Sequence, residues 1–389
     1  MKAKQENEIK KKSESAEITQ ESIDKQKEIL KSNFDVNFSI NLSNKLLKPI
    51  DEVYFRSKLI GFDEVVQRSN KDSPLIYASN HSGMAFPWDA IIFISCLAQK
   101  YDMNVSLVPR ALVAPMLSAT PIMSPFVIWN FWKRNGGIDA TFLNFETAMQ
   151  MPESDVLIFP EGVPGIGKGW SRKYQLQRFS SSFIKMSLKY KTDIIPISTI
   201  NGEYINPFAW NSPFLNRIAQ KIGVPFLPLS VQTIFIFLQP WTFFLAFPAN
   251  LFFVRGKKIS PYQWTDKEYD KISHEEFQEI AEKVRLEMQK SLDENVKLYG
   301  KKPFKFWEML KLSFKKIKFF PYYYPFAWPF AFIEFERLAK KNEYHKLDLG
   351  FLSVLKILFR NPILIAFYIP IFGWLILLWL GKRNLKRKY

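Results

Sequence analysis

The 389-residue sequence predicts an α/β fold containing a parallel strand–helix–strand unit, and three observations predict it. Two short apolar runs, Pro74-Leu75-Ile76-Tyr77-Ala78-Ser79 and Asp155-Val156-Leu157-Ile158-Phe159-Pro160, end in turn-forming residues and read as buried strands. A helical stretch at 179–190 leads directly into a third run, Asp193-Ile194-Ile195-Pro196-Ile197-Ser198, which is the order of a parallel crossover. Beyond residue 300 the composition shifts to lysine, aromatics and then an uncharged run, which marks a membrane-associated C-terminal region.

Residues 1–33 are dominated by Lys, Glu, Gln and Ser, with no apolar targeting core, and predict a disordered or loosely helical polar arm. A short helix is expected at 34–49 and a strand pair at 54–65, broken by Gly61. From Trp88 the pattern is helical, with Pro87 suited to the first turn. Residues 112–132 are apolar, but Pro115, Pro121 and Pro125 argue against one long helix, leaving an ordinary core, an acyl-chain groove or a membrane-facing surface. Residues 226–247 reach the roughly twenty residues of a membrane span. Pro228, Gln232, Gln239 and Pro240 interrupt them, so they read as an interfacial loop or partly buried helix. Ser273-His274-Glu275-Glu276 is a capping box, and Phe277, Ile280, Val284, Met288, Leu292 and Val296 recur behind it as the apolar face of a helix.

In the C-terminal region, residues 301–350 form a basic and aromatic interfacial segment. Lysines alternate there with Phe306, Trp307, Leu310 and Phe314, and residues 319–335 suit the headgroup level of a membrane or a packed satellite subdomain. Residues 351–389 read as a membrane anchor and basic tail. The run 362–380 is uncharged and is followed by Lys382, Arg383, Lys386, Arg387 and Lys388. Pro362, Pro370 and Gly373 equally allow a bent helix that enters and leaves by one face.

The charge balance is 54 basic against 37 acidic residues, a net +17. Nucleic acid, an anionic membrane or an acidic thioester donor would each fit it. With no zinc-ligand cluster or helix-turn-helix pattern, no nucleic-acid partner is expected and the apolar runs favour the membrane. A single cysteine, Cys96, excludes an intrachain disulfide and reads as a small core residue.

Of the three histidines, only His81 occupies a small-residue turn at the carboxyl end of a strand, where α/β sheets collect their reactive groups. Asp89 falls in the opening turn of the next helix. A neutral imidazole takes a proton from a hydroxyl, and a carboxylate on its other nitrogen fixes the tautomer. The plain alternative is a histidine that caps a turn and an aspartate that caps a helix. Ser82 lacks the G-x-S-x-G setting of a nucleophile, so His81 is expected to activate a bound alcohol. His274, in a first helical turn, and His345, among charges, read as exposed residues without catalytic work.

Four blocks in register over residues 54–256 resemble the glycerolipid acyltransferase family, the group that holds glycerol-3-phosphate and lysophosphatidic acid acyltransferases. They are NHSGMAFPWD, Gly136-Gly137-Ile138-Asp139-Ala140, FPEG and IIPIS. The resemblance implies a mostly parallel sheet flanked by helices, with residues 34–300 as the acyltransferase domain and 250–256 as its closing strand. It implies transfer of a fatty acyl group to a glycerolipid or other lipid alcohol. Acyl-CoA or acyl carrier protein would be the co-substrate, with no bound cofactor or metal, at a membrane and on its cytoplasmic face. His81 would be the general base and Asp89 its orienting carboxylate. Phe159, Pro160, Glu161 and Gly162 would bind the acceptor. The amides of Ser82, Gly83 and Met84 are the expected donors to the developing oxyanion.

The sequence departs from the family pattern in three ways. Seven residues, Ser82 through Trp88, separate the histidine from the aspartate where four are usual; four would place Phe86 at the acid's position. The second block lacks its arginine and has Asp139 nearby. Val163-Pro164 replaces a Thr-Arg pair after FPEG, which leaves Lys168, Arg172, Lys173 and Arg178 as the nearest cations, each either for an acceptor phosphate or a solvated surface charge. Whether the acceptor carries a phosphate stays open. A non-catalytic lipid-binding scaffold of the same fold is the alternative function.

Overall fold

The computed structural model, which describes residues 18–221, 224, 226–227 and 229–387, begins with helix α1 (Gln20–Asn33). Thr19 caps it by accepting from the Ser22 N–H. Ile23 and Leu30, seven residues apart, are buried under it. The segment read as a disordered arm is thus a docked helix from residue 20, because two turns of polar sequence still present one apolar edge. Residues 1–17 of that arm lie outside the described residues. Helix α2 (Val36–Leu42) runs on through π-type turns to Phe55. Leu46, Leu47, Ile50, Val53 and Tyr54 are buried at helical spacing, so the expected strand pair shrinks to β1 (Lys58–Ile60).

The next elements are β2 (Ile76–Ser79), α3 (Trp88–Lys100), β3 (Arg110–Val113), β4 (Ile138–Asp139), α4 (Phe142–Met149), β5 (Val156–Ile158), α5 (Ser182–Tyr190) and β6 (Ile194–Ile200). They are followed by α6 (Pro213–Lys221), α7 (Val231–Leu238), β7 (Phe252–Arg255) and α8 (His274–Tyr299), whose capping box forms as expected. The C-terminal region holds α9 (Phe306–Lys315), α10 (Trp328–Ala339), α11 (Ser353–Arg360) and α12 (Phe372–Leu385).

Among the described residues the strands form one sheet in the order β1-β7-β6-β2-β5-β3-β4. Every neighbouring pair is parallel except β6–β7. From β2 the chain crosses through α3 to β3 on one side. From β5 it crosses through α5 to β6 on the other. Adjacent β2 and β5 therefore diverge at their carboxyl ends, and this topological switch point opens a crevice that the strand ladder cannot fill.

Alternation along the strands sorts the core into two layers. Tyr77, Leu157, Ile195 and Ile197 point to one layer, and Ile76, Ala78, Val156 and Ile158 to the other, with α4, α5 and α8. The first layer holds α3 and most of the aromatics, including Tyr322, Tyr323, Trp328, Phe332 and Phe335, all fully buried. Trp328 lies 4.7 Å from Trp88 and Phe332 lies 4.6 Å from Phe126, centroid to centroid. A buried Arg134–Glu336 ion pair of 2.8 Å ties α10 to the sheet side. The aromatic part of segment 301–350 is therefore domain core. α9 keeps an interfacial character, with Trp307 and Phe314 exposed, and Ile317 and Phe326 are exposed after it.

The uncharged run 362–380 does not form one helix. A short turn at Pro362–Phe367 and a left-handed Ile371 (φ 56°) precede α12, and Leu364, Phe367 and Leu377 return to the main core. Pro370 has no N–H to continue a helix, and Gly373 packs so closely on the Ala366 carbonyl that a Cβ would stand 2.0 Å from it. Among the described residues no helix is long and apolar enough to cross a membrane.

Asp51 joins the α2 extension to Cys96 on α3 and to Ser57. Its Oδ1 accepts from the Ser57 N–H at 3.2 Å and hydroxyl at 2.5 Å, and its Oδ2 lies 3.5 Å from Cys96 Sγ. Burial pushes its carboxyl from 3.8 up to about 6. The unfolded chain therefore ionises this group first, and stability falls as pH rises from 3.8 through about 6. A rise of that size corresponds to about 3 kcal/mol. We predict that Asp51→Asn flattens this decline in urea unfolding between pH 4 and 7; an unchanged slope in the variant would contradict the assignment.

Candidate active site

Four contacts pin the turn that follows β2. Asn80 Nδ2 donates to the Thr199 carbonyl and its Oδ1 accepts from the Thr199 N–H, which extends the β2–β6 ladder by a side-chain rung. The His81 N–H donates to Glu161 Oε1 at 3.1 Å, and Asn206 Nδ2 donates to the Met84 carbonyl. Gly83 has φ +105°, and a Cβ there would meet the Gly202 carbonyl oxygen at 2.6 Å, so the turn requires glycine twice over.

Across the seven-residue loop the two side chains meet: His81 Nδ1 lies 2.8 Å from Asp89 Oδ2. The Asp89 side chain is 1% exposed and that of His81 is 13%. The other Asp89 oxygen accepts from the Ala90 N–H in the first turn of α3, where helix dipole and carboxylate attract. Phe86 is buried among Trp88, Trp132 and Phe244 and takes no part in the pair. The Phe159 ring lies against the imidazole, 4.2 Å between centroids. A proton held on Nδ1 by the carboxylate leaves Nε2 with a free lone pair, which is the tautomer a general base needs.

The imidazole faces a cavity of about 1020 Å³, at the upper end of ordinary ligand pockets. Its body is apolar, lined by Ile91, Ile94, Leu112, Leu117, Phe226 and Phe243 among others. Part of segment 112–132 thus forms a groove wall. The polar lining includes Glu161, Gln177, Arg178, Ser180, Gln232 and the start of α8, with His274 and Gln278. His274 is exposed, as its position in the first turn predicts, and it also lines the cavity.

The residues after β5 divide by role. Phe159, Pro160 and Gly162 line the cavity. Glu161 also borders it, but both of its oxygens are engaged by backbone. Oε1 takes the His81 N–H, and Oε2 takes the Gln177 N–H at 2.6 Å. It is a strut between the two strand ends. Lys168 is not a cation for the acceptor, because its side chain is 1% exposed. Its Nζ stands 3.9 Å from Glu161 Oε2 and 3.7 Å from Glu203 Oε1, without a hydrogen bond. Arg172 lies off the cavity and reaches Gln177 Oε1 at 3.4 Å. Lys173 lies over the Trp170 ring, off the cavity, and Arg178, exposed on the cavity wall, is the one of the four that meets the space. The Met84 amide donates to the Ile166 carbonyl, which removes it as an oxyanion donor and leaves the Ser82 and Gly83 amides. Asp139 pairs with Lys133 at 3.3 Å and accepts from the Ser118 hydroxyl.

Sequence reading missed Glu203 and Gln177. Burial raises the Glu203 carboxyl above the ordinary range, opposed mainly by Lys168. Its one signal was Asn201-Gly202-Glu203, a turn with a carboxylate at the end of β6.

Residues 62–200 match the protein-family model described as Acyltransferase, which bears out, over that stretch, the family carried by the four motifs. Uncharacterized proteins of Mycobacterium tuberculosis and Mycobacterium bovis are 25% identical over 198 residues, 51% of this chain and 51% of theirs. One from Mycobacterium leprae is 24% identical over 197 residues, 50% of each chain. The chain thus spans about half the length of the curated relatives it matches. Among solved structures, the 1-acyl-sn-glycerophosphate (LPA) acyltransferase PlsC from Thermotoga maritima is similar at 15% identity and a TM-score of 0.34. That likeness covers 63% of this chain and 79% of that one.

The Lys168 cluster yields a stability prediction. Lys168→Met leaves Glu161 and Glu203 buried without their cation, and removing one partner of such a group destabilises by about 3–5 kcal/mol. Adding Glu203→Gln, which deletes the second carboxylate charge, restores most of the loss in urea unfolding. A double variant as unstable as the single one would refute the charge balance.

Proposed function

We propose that the acyltransferase-family stretch is the catalytic core of an enzyme that moves a fatty acyl group from an acyl thioester to a lipid alcohol. The donor is acyl-CoA or acyl carrier protein, and the acceptor is a glycerolipid or a related alcohol. The observation that carries this reading is the 2.8 Å His81–Asp89 pair at the strand switch point, facing an apolar cavity.

His81 Nε2 takes the acceptor's hydroxyl proton as that oxygen attacks the thioester carbonyl. The C–O ester bond forms, the C–S bond breaks, and the proton passes from the imidazolium to the departing thiolate. Asp89 stabilises the imidazolium, and the Ser82 and Gly83 amides supply donors to the tetrahedral oxyanion. Arg178 meets the polar head of the acceptor, and its planar fork suits a phosphate if one is present. The net +17 draws the protein to an anionic membrane, with the site on the cytoplasmic face where thioester donors are made.

The test incubates the purified protein with labelled acyl-CoA or acyl carrier protein and a total lipid extract, and identifies acylated products by mass spectrometry. His81→Ala is expected to lose about 10²–10⁴-fold in turnover. Asp89→Asn is expected to lower kcat by about tenfold or more while the acceptor KM changes little. Turnover that survives His81→Ala unchanged rejects the base, and the absence of transfer with either donor favours the lipid-binding scaffold.

A further inference from the structure

Three helices beside the cavity turn uncharged faces to solvent. α7 gives Gln232 and Ile236 to the cavity lining. Its Val231, Ile234, Phe235 and Leu238 form a stripe at helical spacing that is 45–68% exposed. α12 repeats the pattern with Phe372, Leu375, Ile376 and Trp379. The two helices are joined, because Trp374 Nε1 donates to the Ile236 carbonyl at 2.8 Å. The Trp374 ring also packs edge-on against Phe243 of the cavity wall. α6 adds exposed Phe214 and Ile218, and its Ala219 shares a small cluster with Met123 and Trp374. Single exposed apolar residues are ordinary; stripes on adjoining helices are not.

We propose that the face formed by α6, α7 and α12 is the surface by which the protein lies on an anionic lipid leaflet, with one wall of the cavity resting against it. The three helices contain no Asp or Glu, and Arg217, Lys221, Lys382 and Arg383 accompany the apolar stripes. Apolar side chains sink below the headgroups while the cations meet anionic lipid. Trp379 has the amphipathic ring that favours the headgroup level. Since no described helix can cross a membrane, the contact runs along the surface. A second copy of this chain would instead bring another net +17 against the same basic rim. The inference rests on the acyl-transfer reading only in taking a lipid as the cavity's guest. Vesicle binding needs no turnover, so the two readings fail separately.

The experiment is flotation of the full chain with phosphatidylcholine vesicles, with and without about 30% phosphatidylglycerol. Wild type is expected to float with the anionic vesicles. Ile234→Glu/Phe235→Glu and Trp379→Glu are each expected to lower the partition coefficient about tenfold or more. Val65→Glu, an exposed apolar site in the segment that follows the edge strand β1, should leave it unchanged. All these positions are exposed, and unaltered thermal melts verify folding. Indifference of the wild type to anionic vesicles overturns the proposal. So do stripe variants that float like the wild type, or that convert a dimer to a monomer on gel filtration without a change in partition.

Discussion

One hydrogen bond organises the carboxyl edge of the sheet: the His81 N–H to Glu161 Oε1. β2 and β5 are neighbours, but their crossovers leave in opposite directions, so no ladder bond holds the loops beyond their ends. Glu161 supplies that connection, and the burial of its carboxylate then has to be compensated. Two backbone N–H groups and the Lys168 ammonium do so. Lys168 is in turn balanced by Glu203, whose Oε1 accepts from the Tyr174 N–H. Each buried charge explains the next, and together they fix the height at which the imidazole stands.

The long histidine-to-aspartate loop works because its additional residues are anchored. Trp88 Nε1 donates to the Phe244 carbonyl, Phe86 wedges between aromatic rings, and Asn206 holds the Met84 carbonyl. Met84, Ala85, Phe86 and Pro87 also line the cavity. The same residues therefore return Asp89 to the imidazole and build the wall beside it. Insertion and cavity are one structural event.

The three central strands, α3 and the capped α8 were legible because each is a short-range pattern: an apolar run bounded by turns, or a period with a cap. The crevice could be placed because strand ends and small-residue turns are local too. What escaped depends on partners distant in sequence. Ile23 and Leu30 look like stray apolar residues until a surface exists to bury them. Tyr322, Trp328 and Phe332 have the composition of a membrane interface and the location of a core, a choice that only tertiary contact decides. Lys168 read as a cation for an acceptor phosphate because Glu203, the second of the two carboxylates it stands between, comes from another part of the chain.

The placement of α10 has a consequence for how the molecule is assembled. Trp328, Phe332 and Phe367 cover Trp88 and Phe126, so the aromatic side of the sheet is completed by segments more than two hundred residues downstream of α3. On the ribosome, the first strands emerge long before their cover is translated. Their apolar rings stay open to water, chaperones or a nearby bilayer until α10 and the turn at Pro362–Phe367 have been made.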